Sequence, residues 1–266
     1  MLKEIFNKPT KWSAMKQLIL KEVDDLIIGS NAGSSLTSGS GNVLLGTDSG
    51  SSITSESGNV FIGYQTGMNQ NNQNGNIMIG NQAGKNASSG SSNIILIGDN
   101  AGSNGTMDTS IFIGKNAGSK LNGDHNIAIG FESLQNQTGN AGSAEGNVFI
   151  GPHSGRVLSS GSRSVAIGGG LSNNTLGVLG VLGSITTQND NTAIGYLAGK
   201  VAVSNENTFV GSQSGYNINS GGSNTLVGFQ TGYNSTTGQK NVLLGSQAGY
   251  SSTISGENTF IGYQAG

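Results

Sequence analysis

The chain contains two histidines, His125 and His153, the side-chain type best suited to acid–base catalysis near neutral pH. Asp124 and Glu132 are the acids nearest to His125 in the sequence. Neither histidine is surrounded by a nucleophile motif, and no spacing suggests the paired carboxylates that a glycan depolymerase would need. We interpret both histidines as solvated surface residues and expect no catalytic residue and no enzymatic activity.

Metal and phosphate sites have equally little support in the sequence. The chain has no cysteine and no closely spaced histidine pair, and Asp48, Asp99 and Asp190 are isolated from other acids. The G-G-x-G-x-D nonapeptide of calcium-binding β-rolls is missing. No lysine–serine pair or helix start follows the glycine-rich stretches, as a phosphate-binding loop requires. The sequence therefore predicts no metal and no cofactor.

Composition excludes several broad classes of partner. Of 266 residues, 33% are hydrophobic and 10% charged, against roughly 45–50% and about 25% in ordinary globular domains. The net charge of −2 offers no basic field for nucleic acid. The apolar runs are too short to insert in a membrane, and the N-terminal residues lack the apolar core of a secretory signal. We therefore expect synthesis in a cytoplasm without export by the general route.

The dominant feature of the sequence is a repeat. The stretches GNVFIGYQTG (58–67) and GNIMIGNQAG (75–84) have close variants along the whole chain. The spacing of the glycine that closes each apolar triplet is mostly seventeen residues, with two longer intervals. Seventeen residues fit two short strands and two turns, so the sequence predicts an all-β fold, a parallel β-solenoid of fourteen coils. The closing glycines are Gly29, Gly46, Gly63, Gly80, Gly98, Gly114, Gly130, Gly151, Gly168, Gly195, Gly211, Gly228, Gly245 and Gly262.

Each triplet is apolar on both faces of its predicted strand. Neighbouring strand residues point to opposite sides, so the first and last members share one face and the middle member has the other. We expect the first and last members, Thr192, Thr208, Thr225 and Thr259 among them, to face the coil interior. The middle members would then face sister subunits. This trimer-interface or core stripe comprises Leu44, Phe61, Met78, Phe112, Phe149, Phe209, Leu226, Leu243 and Phe260.

Two further positions of the repeat predict corners of the coil. A second glycine lies four residues after most closing glycines, and a small residue directly precedes it. This pattern indicates a tight turn. Asparagine opens most triplets, as at Asn59, Asn76 and Asn224. Stacked asparagine amides can hydrogen-bond from coil to coil, so we expect a ladder at this second corner.

Three regions depart from the repeat and divide the chain. Residues 1–24 place Trp12, Met15, Ile19 and Val23 on one face of a short predicted helix, which we interpret as a docking or oligomerisation segment. Repeats 1–9 occupy residues 25–168 and repeats 10–14 occupy 191–266, separated by an insertion at 169–190. A shorter insertion at 135–146 interrupts the first block of repeats.

The repeats resemble two known groups of proteins. NTAIGYLAG (191–199), NTFIGYQAG (258–266) and RSVAIGGGLS (163–172) resemble head repeats of YadA-type trimeric autotransporter adhesins. They are also similar to N-T-x-I-G-Y-x-A-G repeats of bacteriophage tail fibres. The resemblance covers nearly all of residues 25–266 and implies a left-handed parallel β-roll, a homotrimeric rod and adhesion at a cell surface.

These features lead to an expected function as a structural fibre protein. Because the sequence lacks the export signal and membrane anchor of the autotransporters, we expect a trimeric tail fibre or tail-tip component of a virion, continuing past Gly266. Its partners would be its own copies, tail or baseplate proteins bound by residues 1–24, and a host surface receptor such as a glycan. The alternatives are a bacterial trimeric adhesin head at the cell surface and, more remotely, an ice-binding solenoid.

Overall fold

The computed structural model describes residues 24–71, 73–87, 92–135, 144–170, 180–251 and 256–266. Within these ranges the chain is all-β, with fourteen three-residue strands and no helix. The predicted helix with Trp12, Met15, Ile19 and Val23 lies outside the described residues, as do parts of both insertions. Strands β1 to β14 are Leu26–Ile28, Val43–Leu45, Val60–Ile62, Ile77–Ile79, Ile95–Ile97, Ile111–Ile113, Ile127–Ile129, Val148–Ile150, Val165–Ile167, Thr192–Ile194, Thr208–Val210, Thr225–Val227, Val242–Leu244 and Thr259–Ile261.

The strands form one parallel sheet in which every strand pairs with the next one along the chain, from β1 to β14. Equivalent triplet residues lie opposite one another, as when Phe61 pairs with Leu44 on one side and Met78 on the other. The predicted parallel solenoid with a period of about seventeen residues is therefore confirmed. No helix able to span a membrane is present in the part of the chain that the structure describes.

The middle member of each triplet faces the interior of the chain's own coil. Eight of the nine stripe residues, all except Phe260, are at most 1% exposed in the single chain. The partly buried Phe260 packs against the same core. The expectation that this stripe faces sister subunits is therefore wrong, and the first and last members of the triplets face outward instead.

The turn after each strand explains why the middle side chain fits inside. Gly215 follows β11 with a φ of +61°, and a Cβ atom added there would collide with the ring of Phe209. The small residue and glycine thus leave the space that the middle side chain fills, while adopting a backbone conformation that most residues avoid. The predicted tight corner is present at this position.

A second inward column, not recognised in the sequence, completes the core. It lies seven residues after the closing glycine, in the part of the repeat that follows the tight turn. Its members pack against the middle triplet residues and explain how a single coil buries one face of its sheet. They include the buried residues Leu36, Ile53, Leu121, Leu158, Ala202 and Ile218.

The predicted asparagine ladder is confirmed at the corner that precedes each strand. The backbone N–H of each ladder residue donates to the side-chain oxygen of the residue one repeat earlier, as from Asn224 to Asn207 and from Asn241 to Asn224, both at 3.0 Å. The Asn224 amide group also donates to the carbonyl oxygen of Gly238 at 2.8 Å. These asparagines are buried, so the ladder satisfies polar groups that water does not reach.

The ladder position carries a residue other than asparagine in four repeats. Ser110 and Ser164 replace asparagine and still accept through their hydroxyl oxygens. Ile94 replaces it without any side-chain acceptor, although its own N–H still donates to Asn76. In the first repeat the carboxylate of Asp25 accepts from Asn42 at 2.7 Å, so an acidic residue takes the acceptor role there.

The structure also shows that the repeat resumes within the predicted insertion at 169–190, before its end. Gly155 donates its N–H to the carbonyl oxygen of Val181, and Leu182 donates to that of Ala198. Val181 and Leu182 therefore occupy the turn that a small residue and glycine occupy in most repeats. Both are fully buried in the core.

Replacing Asn224 with alanine is expected to lower the free energy of unfolding by about 2 kcal/mol, because the carbonyl of Gly238 and the N–H of Asn241 lose their buried partners. Asn224→Ser should be milder, as the hydroxyl of Ser110 shows. Urea denaturation would measure both changes.

Asn234→Ala is the matched control for this prediction. Asn234 belongs to an exposed amide pair with Asn217, so its loss should change the free energy of unfolding by less than about 0.5 kcal/mol. Equal effects at Asn224 and Asn234 would contradict a stabilising role of the buried ladder.

Candidate functional site

The structure brings His153 together with two charged residues. His153 Nδ1 lies 3.3 Å from Glu132 Oε2, and Arg156 Nε lies 3.2 Å from the same oxygen. The ring is only 5% exposed, and Phe131 packs against it edge-on with centroids 5.2 Å apart. The interpretation of His153 as a solvated surface residue is therefore wrong. Glu132 occupies the same position as His153 in the preceding repeat.

The His153 cluster does not have the geometry of a catalytic pair. The His153 and Glu132 atoms are close but poorly aligned, and both ring nitrogens lack a hydrogen-bond partner. Burial lowers the pKa of His153, Glu132 opposes this shift and Arg156 adds to it. A buried neutral ring whose nitrogens make no hydrogen bond serves packing better than proton transfer. His125, the other histidine, is exposed.

The aspartates considered as calcium ligands each have another local partner. Asp48 accepts a hydrogen bond from Asn31, Asp99 lies 3.5 Å from Lys115 Nζ, and Asp190 forms an ion pair with Arg163. The Arg163 guanidinium lowers the pKa of Asp190. Across the described ranges, no group of three or more metal-ligating side chains comes together.

The outer face of the sheet carries a long series of apolar side chains that the chain itself does not bury. The first and last triplet members form two parallel columns, and nearly all of them are valine, isoleucine or leucine. Many remain half-exposed in the single chain, for instance Ile77 at 37% and Ile194 at 39%. We call these two columns the outer apolar face. A continuous apolar surface along fourteen strands is typical of a protein-interaction surface.

Threonines lie on this face as well, contrary to the expectation that they face inward. Thr225 and Thr259 are exposed, and Thr192 and Thr208 are half-buried. Thr192, Thr208 and Thr225 lie opposite one another in the neighbouring strands β10, β11 and β12. In β13 the same position is Val242. The hydroxyl groups therefore point to the outside, which removes one objection to the ice-binding alternative.

Exposed aromatic residues follow the closing glycine in five repeats. In the last five repeats they occupy every second position, at Tyr196, Phe229 and Tyr263, with Ser212 and Ser246 between them. We call Tyr196, Phe229 and Tyr263 the alternating aromatic column. Their exposed fractions are 38%, 49% and 72%. Tyr64 and Phe131 hold the same position in earlier repeats.

A second aromatic column runs through consecutive repeats. Tyr216 stacks on Tyr233 with ring centroids 4.8 Å apart, and Tyr233 stacks on Tyr250 at 5.3 Å. Lys200 Nζ donates a hydrogen bond to the Tyr216 hydroxyl at 2.7 Å. We call Tyr216, Tyr233 and Tyr250 the stacked tyrosine column. The tyrosines recur five residues after successive closing glycines. This spacing would have predicted the column from the sequence.

Comparison with known proteins does not assign the chain to a family. No protein-family model, curated protein or solved structure matches the chain. A functional conclusion must therefore start from the outer apolar face, the two aromatic columns and the repeat itself.

Acidification is expected to destabilise the protein through His153. The folded-state pKa of His153 lies below the ordinary value of about 6.5, so the unfolded chain binds the proton more tightly. This contribution to stability is complete above about pH 6.5 and is lost as the pH falls towards the folded-state pKa. Thermal unfolding midpoints at about pH 7.5 and about pH 5.5 would measure the loss.

The variant His153→Gln should lose less stability between these two pH values than the unchanged protein does. His125→Asn is the control, because His125 is exposed and should leave the pH dependence as it is. An identical acid sensitivity in the protein and in His153→Gln would exclude His153 as the cause.

Proposed function

We propose that the chain forms the shaft of a homotrimeric fibre, a bacteriophage tail fibre or tail-tip component that attaches a virion to its host. The outer apolar face is the observation that carries this proposal. Soluble monomers seldom expose contiguous apolar patches larger than a few hundred Å². The outer apolar face extends across all fourteen strands, each with two outward apolar or threonine residues.

Copies of the same chain are the most economical cover for this face. A surface of constant width that repeats every coil matches an identical surface packed beside it in parallel. Closed rotational symmetry is the usual form of such assemblies. The count of three and the left-handed winding are taken from the resemblance to YadA-type heads and tail-fibre repeats.

In this proposal residues 1–24 dock on the tail or baseplate. The predicted helical stripe of Trp12, Met15, Ile19 and Val23 would supply the apolar contact. The solenoid then projects towards the host, where the receptor would be bound. A bacterial trimeric adhesin head is the alternative with the same architecture, located at a cell surface rather than on a virion.

Ice binding is retained as a second candidate because the threonines face outward. An ice-binding face needs threonines in register on a flat surface, and β10, β11 and β12 provide three in succession. Most other outward positions are aliphatic, which favours self-association. Thermal hysteresis of the purified protein would support the ice-binding candidate.

The first test of the proposal is the mass of the assembly. Light scattering should give about three times 26.9 kDa. The double variant Ile194→Asp/Val210→Asp should reduce the mass to that of one chain, because it places charges in the middle of the proposed contact. Asn219→Asp/Thr236→Asp adds the same charge at exposed polar positions and should leave the mass unchanged. A single-chain mass for the unchanged protein would refute self-association.

The second test is the position of the chain on the particle. Antibodies against residues 1–24 should label the tail or baseplate end of virions in electron micrographs, and antibodies against the last repeats should label positions farther out. Labelling confined to capsids, or to bacterial surfaces without particles, would contradict the virion proposal.

A further inference from the structure

The two aromatic columns of the last repeats differ in what their ring faces contact. In the stacked tyrosine column, rings in consecutive repeats lie nearly parallel, with interplanar angles of 12° and 15°. Each ring therefore covers the face of the next. Members of the alternating aromatic column contact no other aromatic ring in the described part of the chain, and the positions between them carry serine.

The alternation sets a spacing along the rod. Adjacent strands of a sheet lie roughly 4.8 Å apart, so aromatic residues in every second repeat are about 10 Å apart. Tyr196, Phe229 and Tyr263 form such a series directly after β10, β12 and β14. Serines in the intervening repeats are too small to fill the space between the rings. The column is therefore a row of separated, water-exposed aromatic side chains.

A ladder of glutamine amides runs beside this row. Gln230 donates to Gln213 at 2.9 Å, Gln247 to Gln230 at 3.2 Å and Gln264 to Gln247 at 2.9 Å. Each glutamine directly follows the aromatic or serine position of its repeat. An amide has two N–H donors and two acceptor lone pairs, and the ladder uses only one of each. Gln230 and Gln264 directly follow Phe229 and Tyr263 in the chain, whereas Leu197 follows Tyr196, so the ladder accompanies two of the three rings.

We propose that the alternating aromatic column and the adjacent glutamines bind an extended β-linked polysaccharide. Aromatic rings offer flat apolar faces to the C–H face of a pyranose, and amides exchange hydrogen bonds with its hydroxyl groups. In an extended β-1,4-linked chain, successive sugars turn over, so every second sugar presents the same face. Two sugar units have about the length of two repeats of the rod, so each ring meets an equivalent sugar.

The inference rests on the proposed attachment function and specifies its receptor. The residues between the rings and the glutamines that follow them are uncharged, so charge does not direct the choice of ligand. A neutral or N-acetylated glycan fits these groups better than a polyanion does.

Isothermal titration calorimetry with cellohexaose and chitohexaose tests the inference on the full chain. At least one of these straight oligosaccharides should bind, and the curved α-linked maltohexaose should bind at least about tenfold more weakly. Phe229→Ala should weaken binding by about tenfold or more, because it removes the central ring. The ring of Phe229 is 49% exposed, so the fold should survive, which circular dichroism would verify.

Tyr64→Ala is the matched control. Tyr64 is 50% exposed at the same position of its repeat, but Ser30 and Asp99 occupy that position two repeats away on either side. It therefore lacks the series of rings, and its loss should leave binding unchanged. Ser246→Tyr should weaken binding in a different way, because a ring inserted between Phe229 and Tyr263 would stack on both and cover their faces.

Three outcomes would overturn the inference. They are no binding of either straight oligosaccharide by the unchanged protein, equal losses in Phe229→Ala and Tyr64→Ala, or a fall in assembly mass in Phe229→Ala without loss of binding. The last result would assign the column to the contact between chains. A trimer that does not bind these sugars would refute this inference alone, whereas a single-chain mass would refute the proposed fibre.

Discussion

The buried polar groups of each repeat find their partners in the neighbouring repeats, and the architecture depends on this condition. At the corner before each strand, the amide of one asparagine satisfies the backbone of the next repeat, as Asn207 does for Asn224. A coil removed from its neighbours would leave these groups without partners inside an apolar interior, at a cost of about 1–3 kcal/mol for each group. Repeats of this type are stable only as a stack, with nearest-neighbour contacts providing most of the stability.

The period and the strands could be predicted from the sequence because they depend on local chemistry. Closing glycines, apolar triplets and opening asparagines recur at fixed positions, and each has a conformational reason. The orientation of the triplet could not be read in the same way. Alternation shows that neighbouring residues face opposite sides, but both sides are apolar here, so it does not tell which side is inside.

Two signals would have given the correct orientation. Threonine occurs at the first triplet position and never at the middle one, and a hydroxyl is more easily accommodated at a surface. An apolar residue also recurs seven places after many closing glycines, as at Ile53 and Ile218, and supplies the second wall of the core. With this second wall in place, the middle triplet residues need no cover from other chains.

The candidate surfaces were less predictable because they arise from register between repeats. Glu132 and His153 are one repeat apart and meet only when the coils are stacked. The stacked tyrosine column and the alternating aromatic column depend in the same way on which repeats carry a ring. The composition of a single repeat contains neither feature, whereas an alignment of the repeats on their closing glycines contains both.

Ile94 interrupts the ladder of side-chain acceptors, although the β-sheet continues past it. Ile94 donates its N–H to Asn76 but has no side-chain acceptor for the next repeat. Side-chain acceptance resumes at Ser110, which accepts from the N–H of Asn126. The junction between β5 and β6 therefore has one fewer link than its neighbours. We expect the stack to separate first at this junction when it is pulled or locally unfolded, because the N–H of Ser110 has no side-chain acceptor at position 94.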